Sequence, residues 1–147
     1  MDKQIKRKTT WLLCIGLVIL IGVFASGIYL FNTIFPKAGP ISIPQSEDIV
    51  SVSISHSDSD QTVLLREEDM EQLLDYLSEG KATRQTAMDD HPTERTYYGI
   101  SVQTDTREYR YFIYEKGGQI YIEVPYDGIY ETQTELFDLV CTYHRET

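Results

Sequence analysis

A run of 25 residues without a charged side chain extends from Trp11 to Phe35. It directly follows the basic stretch Lys3-Gln4-Ile5-Lys6-Arg7-Lys8. A helix rises about 1.5 Å per residue, and crossing a hydrocarbon core of about 30 Å takes roughly 20 residues. The sequence therefore predicts one transmembrane helix over residues 11–35, held by the lipid bilayer.

The charges around this run predict its orientation. Four Lys/Arg residues lie within residues 1–10, and basic residues that flank a span stay in the cytoplasm. We expect a cytoplasmic basic tail over residues 1–10 and a single-pass protein of the cell membrane with an extracytoplasmic C-terminal domain. Cleavage near Ala25, after Val23-Phe24-Ala25, would instead give a secreted protein. The apolar run continues for ten residues beyond Ala25, which favours an uncleaved signal-anchor.

The predicted span also holds the small-residue pair Gly22-x-x-x-Ser26. Small residues four apart let two membrane helices approach closely. Gly22 and Ser26 are therefore a candidate contact with another membrane helix, although such pairs also occur by chance on lipid-facing surfaces.

The chain after residue 35 is strongly acidic, with 9 Lys/Arg against 22 Asp/Glu and a net charge of −13. Such a charge repels nucleic acid and anionic lipid headgroups, so we expect no nucleic-acid partner. The two cysteines, Cys14 and Cys141, fall in the predicted span and near the C-terminus. We therefore expect no disulfide within the outer domain, which must be held by packing.

Periodicity then predicts the outer domain. Residues 36–48 hold three prolines and predict a Pro-rich linker that holds residues 49–147 off the membrane. Strands are predicted over residues 49–55, 62–65, 81–87, 97–104, 108–115 and 119–124, and helices over residues 67–79 and 134–143. The order β-β-α-β-β-β-β-α predicts an α+β fold, a small two-layer domain with an antiparallel sheet and two helices.

Gly117-Gly118 predicts a two-residue hairpin turn. The turn sets a register in which four pairs face each other: Glu115 with Ile120, Tyr114 with Tyr121, Ile113 with Ile122, and Tyr111 with Val124. Alternation then places Tyr111, Ile113, Ile122 and Val124 on the core face and Phe112, Tyr114 and Tyr121 on the other face.

Tyrosine is concentrated in this region, since eight of the eleven tyrosines lie between Tyr97 and Tyr130. Tyrosine offers a large apolar face and a hydroxyl with few rotamers to freeze, which suits recognition surfaces. Phe112, Tyr114 and Tyr121 are therefore the candidate partner-binding face for an envelope protein or a peptide. Tyrosine is also simply a good strand former.

Residue patterns typical of catalysis or metal binding are weak in this chain. Asp58-x-Asp60 with Asp69 resembles the edges of a calcium loop, but Val63 occupies the position that needs glycine. Asp89-Asp90-His91 and Ser55-His56-Ser57-Asp58 hold ligand and triad residue types only as sequence neighbours. We therefore expect no catalytic residue, no metal site and no cofactor, and a protein that is not an enzyme.

Two segments carry a resemblance to a known family. They read Tyr114-Glu115-Lys116-Gly117-Gly118 and Tyr121-Ile122-Glu123-x-Pro125-Tyr126-x-Gly128-Ile129-Tyr130. Together with Thr83 and Asp90-x-Pro92, this pattern resembles an uncharacterised family of small secreted or membrane-anchored proteins of Gram-positive bacteria, over roughly residues 48–143. The resemblance supports the fold and implies no established activity.

The expected function is a non-enzymatic interaction or accessory module at the cell envelope. Two alternatives stay open. One is an accessory subunit that docks a membrane partner through its transmembrane helix, and the other is an envelope hydrolase or metal-dependent enzyme.

Overall fold

A computed structural model describes residues 2–145, with side chains from residue 11 onward. One unit ends at Pro36 and a second begins at Lys37. The described residues form the helices α1 (Asp2–Ile34), α2 (Glu67–Ser78) and α3 (Thr134–Arg145), with a short 3-10 helix at Ser46–Asp48. The strands are β1 (Ile49–His56), β2 (Ser59–Leu64), β3 (Lys81–Ala82), β4 (Tyr98–Thr104), β5 (Glu108–Lys116), β6 (Gln119–Val124) and β7 (Gly128–Thr132). The α+β class is confirmed, with one strand more than predicted.

Helix α1 contains the predicted span. Trp11–Ile34 is a 24-residue apolar stretch with a mean hydropathy of 2.5, and none of it is buried by protein. The helix is long and apolar enough to cross a membrane, and a signal sequence near an N-terminus has the same properties. The helix begins at Asp2, so the backbone of the predicted basic tail is helical. Residue 1 and the side chains of residues 2–10 lie outside the described part.

All seven strands form one antiparallel sheet in the order β2-β1-β4-β5-β6-β7-β3. The turn between β5 and β6 consists of Gly117 and Gly118, with φ of 62° and 80°. Residues with a Cβ disfavour such angles, and glycine adopts them readily. This turn chemistry explains why the hairpin could be located from the sequence.

The hairpin register agrees with the predicted one. The structure pairs Glu115 with Ile120, Tyr114 with Tyr121 and Ile113 with Ile122, and the registered pairs end at Phe112 with Glu123. The fourth predicted pair, Tyr111 with Val124, lies one step beyond this end. Tyr111, Ile113 and Ile122 are fully buried on the core face, and Val124 is half-buried.

The core lies between this face of the sheet and the helices α2 and α3. Leu73 and Leu77 of α2, and Leu136 and Val140 of α3, are fully buried, because residues four apart share one helix face. They pack with Val52, Ile54, Ile100, Val102, Tyr111, Ile113, Ile122 and Tyr130. Truncating such a leucine to alanine typically costs about 2–5 kcal/mol.

Two strands differ from the prediction. The predicted strand over residues 81–87 is reduced to Lys81–Ala82, because the chain then leaves the sheet edge. Strand β7 was not predicted. Its inward residues are Gly128, Tyr130 and Thr132, so only one of the three is a large hydrophobic and the alternation is not visible in the sequence.

The predicted linker over residues 36–48 also differs, because most of it belongs to the folded domain. Residues 37–44, the N-terminal strap, place Ala38, Ile41 and Ile43 against the core and bury Pro44. The three prolines predict a linker, but the apolar residues Ala38, Ile41 and Ile43 lie between them. Burial of those residues keeps the strap on the domain instead of leaving it as a spacer.

Candidate functional site

The candidate partner-binding face lies on the outer face of the sheet, opposite the helices. Phe112 and Tyr114 are on β5 and Tyr121 is on β6. The rings of Tyr114 and Tyr121 stack across the two strands with centroids 5.8 Å apart, as directly paired residues can. The structure therefore brings the three predicted side chains together on one face.

This face is covered rather than open. Phe112 is only 5% exposed and Tyr114 only 4%, while Tyr121 is half-buried. The cover is the segment between β3 and β4, residues 83–97, which we call the covering loop. Its residues Ala87 and Pro92 are buried.

Aromatic contacts join the covering loop to β5. The rings of His91 and Tyr97 each lie 5.4 Å from the ring of Phe112, and both meet it edge-on. Edge-to-face packing at this distance is favourable beyond the area that it buries. Phe112 is therefore an anchor for the loop, a role that its place in a strand does not reveal.

Polar contacts hold the loop along its whole length. At its start, Thr83 donates to the carbonyl of Ile129 and Ile129 N–H donates to the carbonyl of Gln85. In its middle, Tyr126 OH donates to Asp90 Oδ1 at 2.8 Å and Lys116 Nζ lies 2.8 Å from Glu94 Oε1. At its end, Ser57 N–H donates to the carbonyl of Tyr97.

The expectation of an uncovered aromatic patch is therefore not met. A partner can reach Tyr121 directly, but it reaches Phe112 and Tyr114 only if the covering loop moves. Partner binding at these three residues stays a prediction, and it now includes a displacement of the loop.

Glu123 is a buried acid beneath this loop, and it was not singled out from the sequence except as part of the family pattern. It is 7% exposed and pairs with Phe112 across the hairpin. Burial raises its pKa, a bond with the Tyr114 hydroxyl lowers it, and the charges of Asp89 and Glu94 raise it further. Burial also raises the pKa of Tyr114. Glu123 therefore carries its charge at a free-energy cost.

The membrane-helix candidate lies on the exposed surface of α1. Ser26 Oγ donates to the carbonyl of Gly22 at 2.8 Å, and a Cβ added to Gly22 would meet nothing within 4 Å. The serine hydroxyl is thus satisfied within its own helix, and the space beside Gly22 is open.

The remaining chemical motifs do not converge. Asp69 accepts from Arg66 at 2.9 Å and also from the Tyr143 hydroxyl, and His56 stacks on His144 with ring centroids 4.4 Å apart. His91 contacts Phe112. Among residues 11–145, no three His, Cys, Asp or Glu side chains form a group that could hold a metal ion. The expected absence of metal and catalysis remains a prediction.

The protein is therefore an α+β domain with a seven-stranded antiparallel sheet. In the sequence this domain follows one helix that is long and apolar enough to span a membrane. Residues 37–131 match the family DUF5301, described as "Domain of unknown function (DUF5300)". This match takes in more than half of the chain, and the chain belongs to that family. The match starts at Lys37, so it includes the N-terminal strap.

The chain is similar to the NMR structure of the protein from Ruminococcus gnavus. It is 29% identical with a TM-score of 0.54, over 63% of this chain and 91% of that chain. No curated protein matches this chain. Membership in this family confirms that the chain belongs to a family of unknown function, as the resemblance implied.

Proposed function

We propose that this chain is a membrane-anchored extracytoplasmic module that binds another component of a Gram-positive cell envelope, with no enzymatic activity of its own. The observation that carries the proposal is the unburied 24-residue apolar helix Trp11–Ile34 followed by a separate folded unit. Four basic residues before the helix support a cytoplasmic N-terminus.

The outer face of the sheet supports a binding role. Tyr114 and Tyr121 stack there, and the covering loop is held on this face by aromatic and polar side-chain contacts. Loops positioned on a rigid sheet are where proteins place recognition residues. The acidic charge of the domain disfavours nucleic acid as a partner.

The anchoring part of the proposal is tested with a chain that carries an epitope tag at each end, expressed in bacterial cells. External protease is expected to remove the C-terminal tag from intact cells and to leave the N-terminal tag protected until lysis. A protected C-terminal tag would contradict the orientation, and a tagged domain released into the medium would contradict the uncleaved anchor.

The binding part is tested by photo-crosslinking in the membrane. A photoreactive phenylalanine analogue replaces Tyr121, and the matched control places it at Asp138, an exposed residue of α3 on the other side of the sheet. A discrete crosslinked partner is expected from position 121 and not from position 138. If the intact membrane protein neither crosslinks nor copurifies with any partner, the binding role is wrong.

A second way of recruiting a partner is through the membrane helix. The open space beside Gly22 and the internally bonded Ser26 hydroxyl favour it. Replacing residues 11–34 by an unrelated apolar span should abolish recruitment in that alternative, whereas recruitment through the folded domain should survive the exchange.

A further inference from the structure

Strand β5 has an open edge within the sheet. It runs from Glu108 to Lys116, but its last registered partner on β6 is Glu123, opposite Phe112. Strand β6 ends at Val124, and Pro125 has no N–H to continue the ladder. Residues 108–111 therefore extend past the point where β6 turns away.

The register indicates which backbone groups point toward this gap. Hydrogen-bonded and non-hydrogen-bonded pairs alternate along an antiparallel ladder. The pair next to the two-residue turn is Lys116 with Gln119, and it is a hydrogen-bonded pair. Every second residue of β5 belongs to this hydrogen-bonded series, which continues through Tyr114 and Phe112. Its next members are Arg110 and Glu108, whose N–H and C=O groups face the missing strand. Among residues 2–145, no backbone hydrogen bond outside the sheet engages them.

A groove of about 280 Å³ lies along this edge, and its lining includes Ser42, Arg107, Tyr109, Arg110, Val124 and Tyr126. The guanidinium of Arg107 lies 4.1 Å from the centre of the Tyr109 ring. In the described part of the chain, neither Arg107 nor Arg110 forms a salt bridge. The one carboxylate in the lining, that of Glu108, accepts from the Ser101 hydroxyl.

Tyr126 borders the groove in an unfavourable backbone conformation. Its φ is 61°, the left-handed region that glycine, asparagine and aspartate adopt most readily. The residue is 68% exposed, so burial does not explain why a tyrosine occupies this turn, although its hydroxyl donates to Asp90 of the covering loop. Strained residues concentrate at binding sites and turns that serve a function.

We infer that this edge binds an extended acidic segment of a partner protein by strand addition. The partner's main chain pairs with Glu108 and Arg110, its carboxylates are bound by Arg107 and Arg110, and its side chains pack on Tyr126. Main-chain pairing supplies affinity and the flanking side chains supply specificity in this mode. The inference rests on the proposed binding function. It assigns that function a second surface, distinct from the candidate partner-binding face of Phe112, Tyr114 and Tyr121.

Charged side chains at a strand edge also protect a sheet from aggregation, and the test separates this role from binding. The full chain is placed in phosphatidylcholine nanodiscs, and fluorescence anisotropy follows a labelled octapeptide in which glutamate alternates with threonine. Two matched peptides are compared with it: one with lysine in place of glutamate, and one N-methylated at every second residue, which keeps the carboxylates and removes main-chain donors.

The acidic peptide is expected to bind at least tenfold more tightly than either matched peptide. Arg110→Ala and Arg107→Ala are each expected to weaken binding at least fivefold, while Lys81→Ala, which removes a cation from the edge strand β3, leaves it unchanged. Circular dichroism confirms that each variant is folded.

The inference is overturned if the acidic peptide does not bind, if N-methylation has no effect, or if Arg110→Ala binds as tightly as the parent. A partner that crosslinks at position 121 in cells while the octapeptide fails would overturn only this edge and leave the proposed function standing. A protected C-terminal tag in the protease experiment would instead overturn the extracytoplasmic location.

Discussion

The hydroxyl of Tyr111 donates a hydrogen bond of 2.6 Å to the backbone carbonyl oxygen of Ser42. Tyr111 is 1% exposed, and burial raises the pKa of its hydroxyl. Ser42 belongs to the N-terminal strap. This bond therefore joins a fully buried residue of β5 to a segment that the sequence interpretation assigned to a free linker.

Tyr111→Phe tests how firmly the strap is held. The ring stays and only the hydroxyl is lost, so the free energy of unfolding should fall by about 0.5–1.5 kcal/mol, the usual net value of one hydrogen bond. Urea denaturation measures it. Tyr126→Phe, which removes an exposed bond to Asp90, is the control and should change stability less. Equal effects of the two variants would show that the strap does not depend on Tyr111.

Gly128→Ala should displace the strap directly. A Cβ built at Gly128 would lie 2.5 Å from the Cβ of Ala38, whereas one built at Gly80 would lie 2.6 Å from Cδ1 of Ile41. The Ala38 Cβ is fixed to the backbone, but the end of the Ile41 side chain can rotate away. Gly128→Ala is therefore expected to destabilise the domain by about 1–3 kcal/mol, and Gly80→Ala by less. Thermal unfolding compares them, and the opposite ranking would contradict this packing.

Tyr126→Gly should be tolerated although it removes a whole aromatic side chain. The left-handed conformation costs a residue with a Cβ about 1–2 kcal/mol, while glycine adds about 0.4–1 kcal/mol of unfolded-state entropy. We expect stability to stay the same or to rise by no more than about 1 kcal/mol.

Gly118→Ala is the matched control for this backbone effect, because Gly118 has a φ of 80° and open space around it. It should cost about 1–2 kcal/mol. A loss of more than about 1 kcal/mol in Tyr126→Gly would mean that Tyr126 stabilises the fold. Its backbone conformation would then no longer support the proposal for the β5 edge.

Glu123→Gln tests the buried acid by its pH dependence. Burial raises the folded-state pKa of Glu123 above its ordinary value of 4.5, so the folded state holds this proton more tightly than the unfolded state. The resulting stabilisation is fully present below the unfolded-state pKa and is lost as pH rises through the folded-state pKa.

Glutamine keeps an acceptor for Tyr114 and carries no charge. Glu123→Gln should therefore be more stable than the parent at neutral pH, and the difference should shrink as pH falls toward 4.5. Urea denaturation across this range measures it, with Glu115→Gln on the same hairpin, at an exposed position, as the control. A difference that grows as pH falls would contradict the raised pKa.

Features that depend on neighbouring residues in the chain could be predicted well. The Gly117-Gly118 turn requires positive φ at both positions, so the turn determines which residues of β5 and β6 face each other. The helix predicted over residues 67–79 depends only on the periodic spacing of its apolar residues. Both were predicted, because turn conformation and residue spacing are local.

Burial of the outer face could not be predicted in the same way. Alternation places Phe112 and Tyr114 opposite the helices, but it does not show that residues 83–97 return over them. That path depends on contacts such as Glu94 with Lys116, which are distant in sequence. Strand β7 was missed for a related reason, since Gly128 and Thr132 face the core without being hydrophobic.

Length, composition and periodicity are properties of the chain alone, and they suffice to predict the apolar helix over residues 11–34, the acidic charge, the α+β class and the hairpin register. Three further features follow from the packing of the folded chain: residues 37–44 pack on the core, a loop covers Phe112 and Tyr114, and β5 extends past β6. These features depend on contacts between segments that are distant in the sequence. Local sequence patterns do not show which distant segments pack on the same surface.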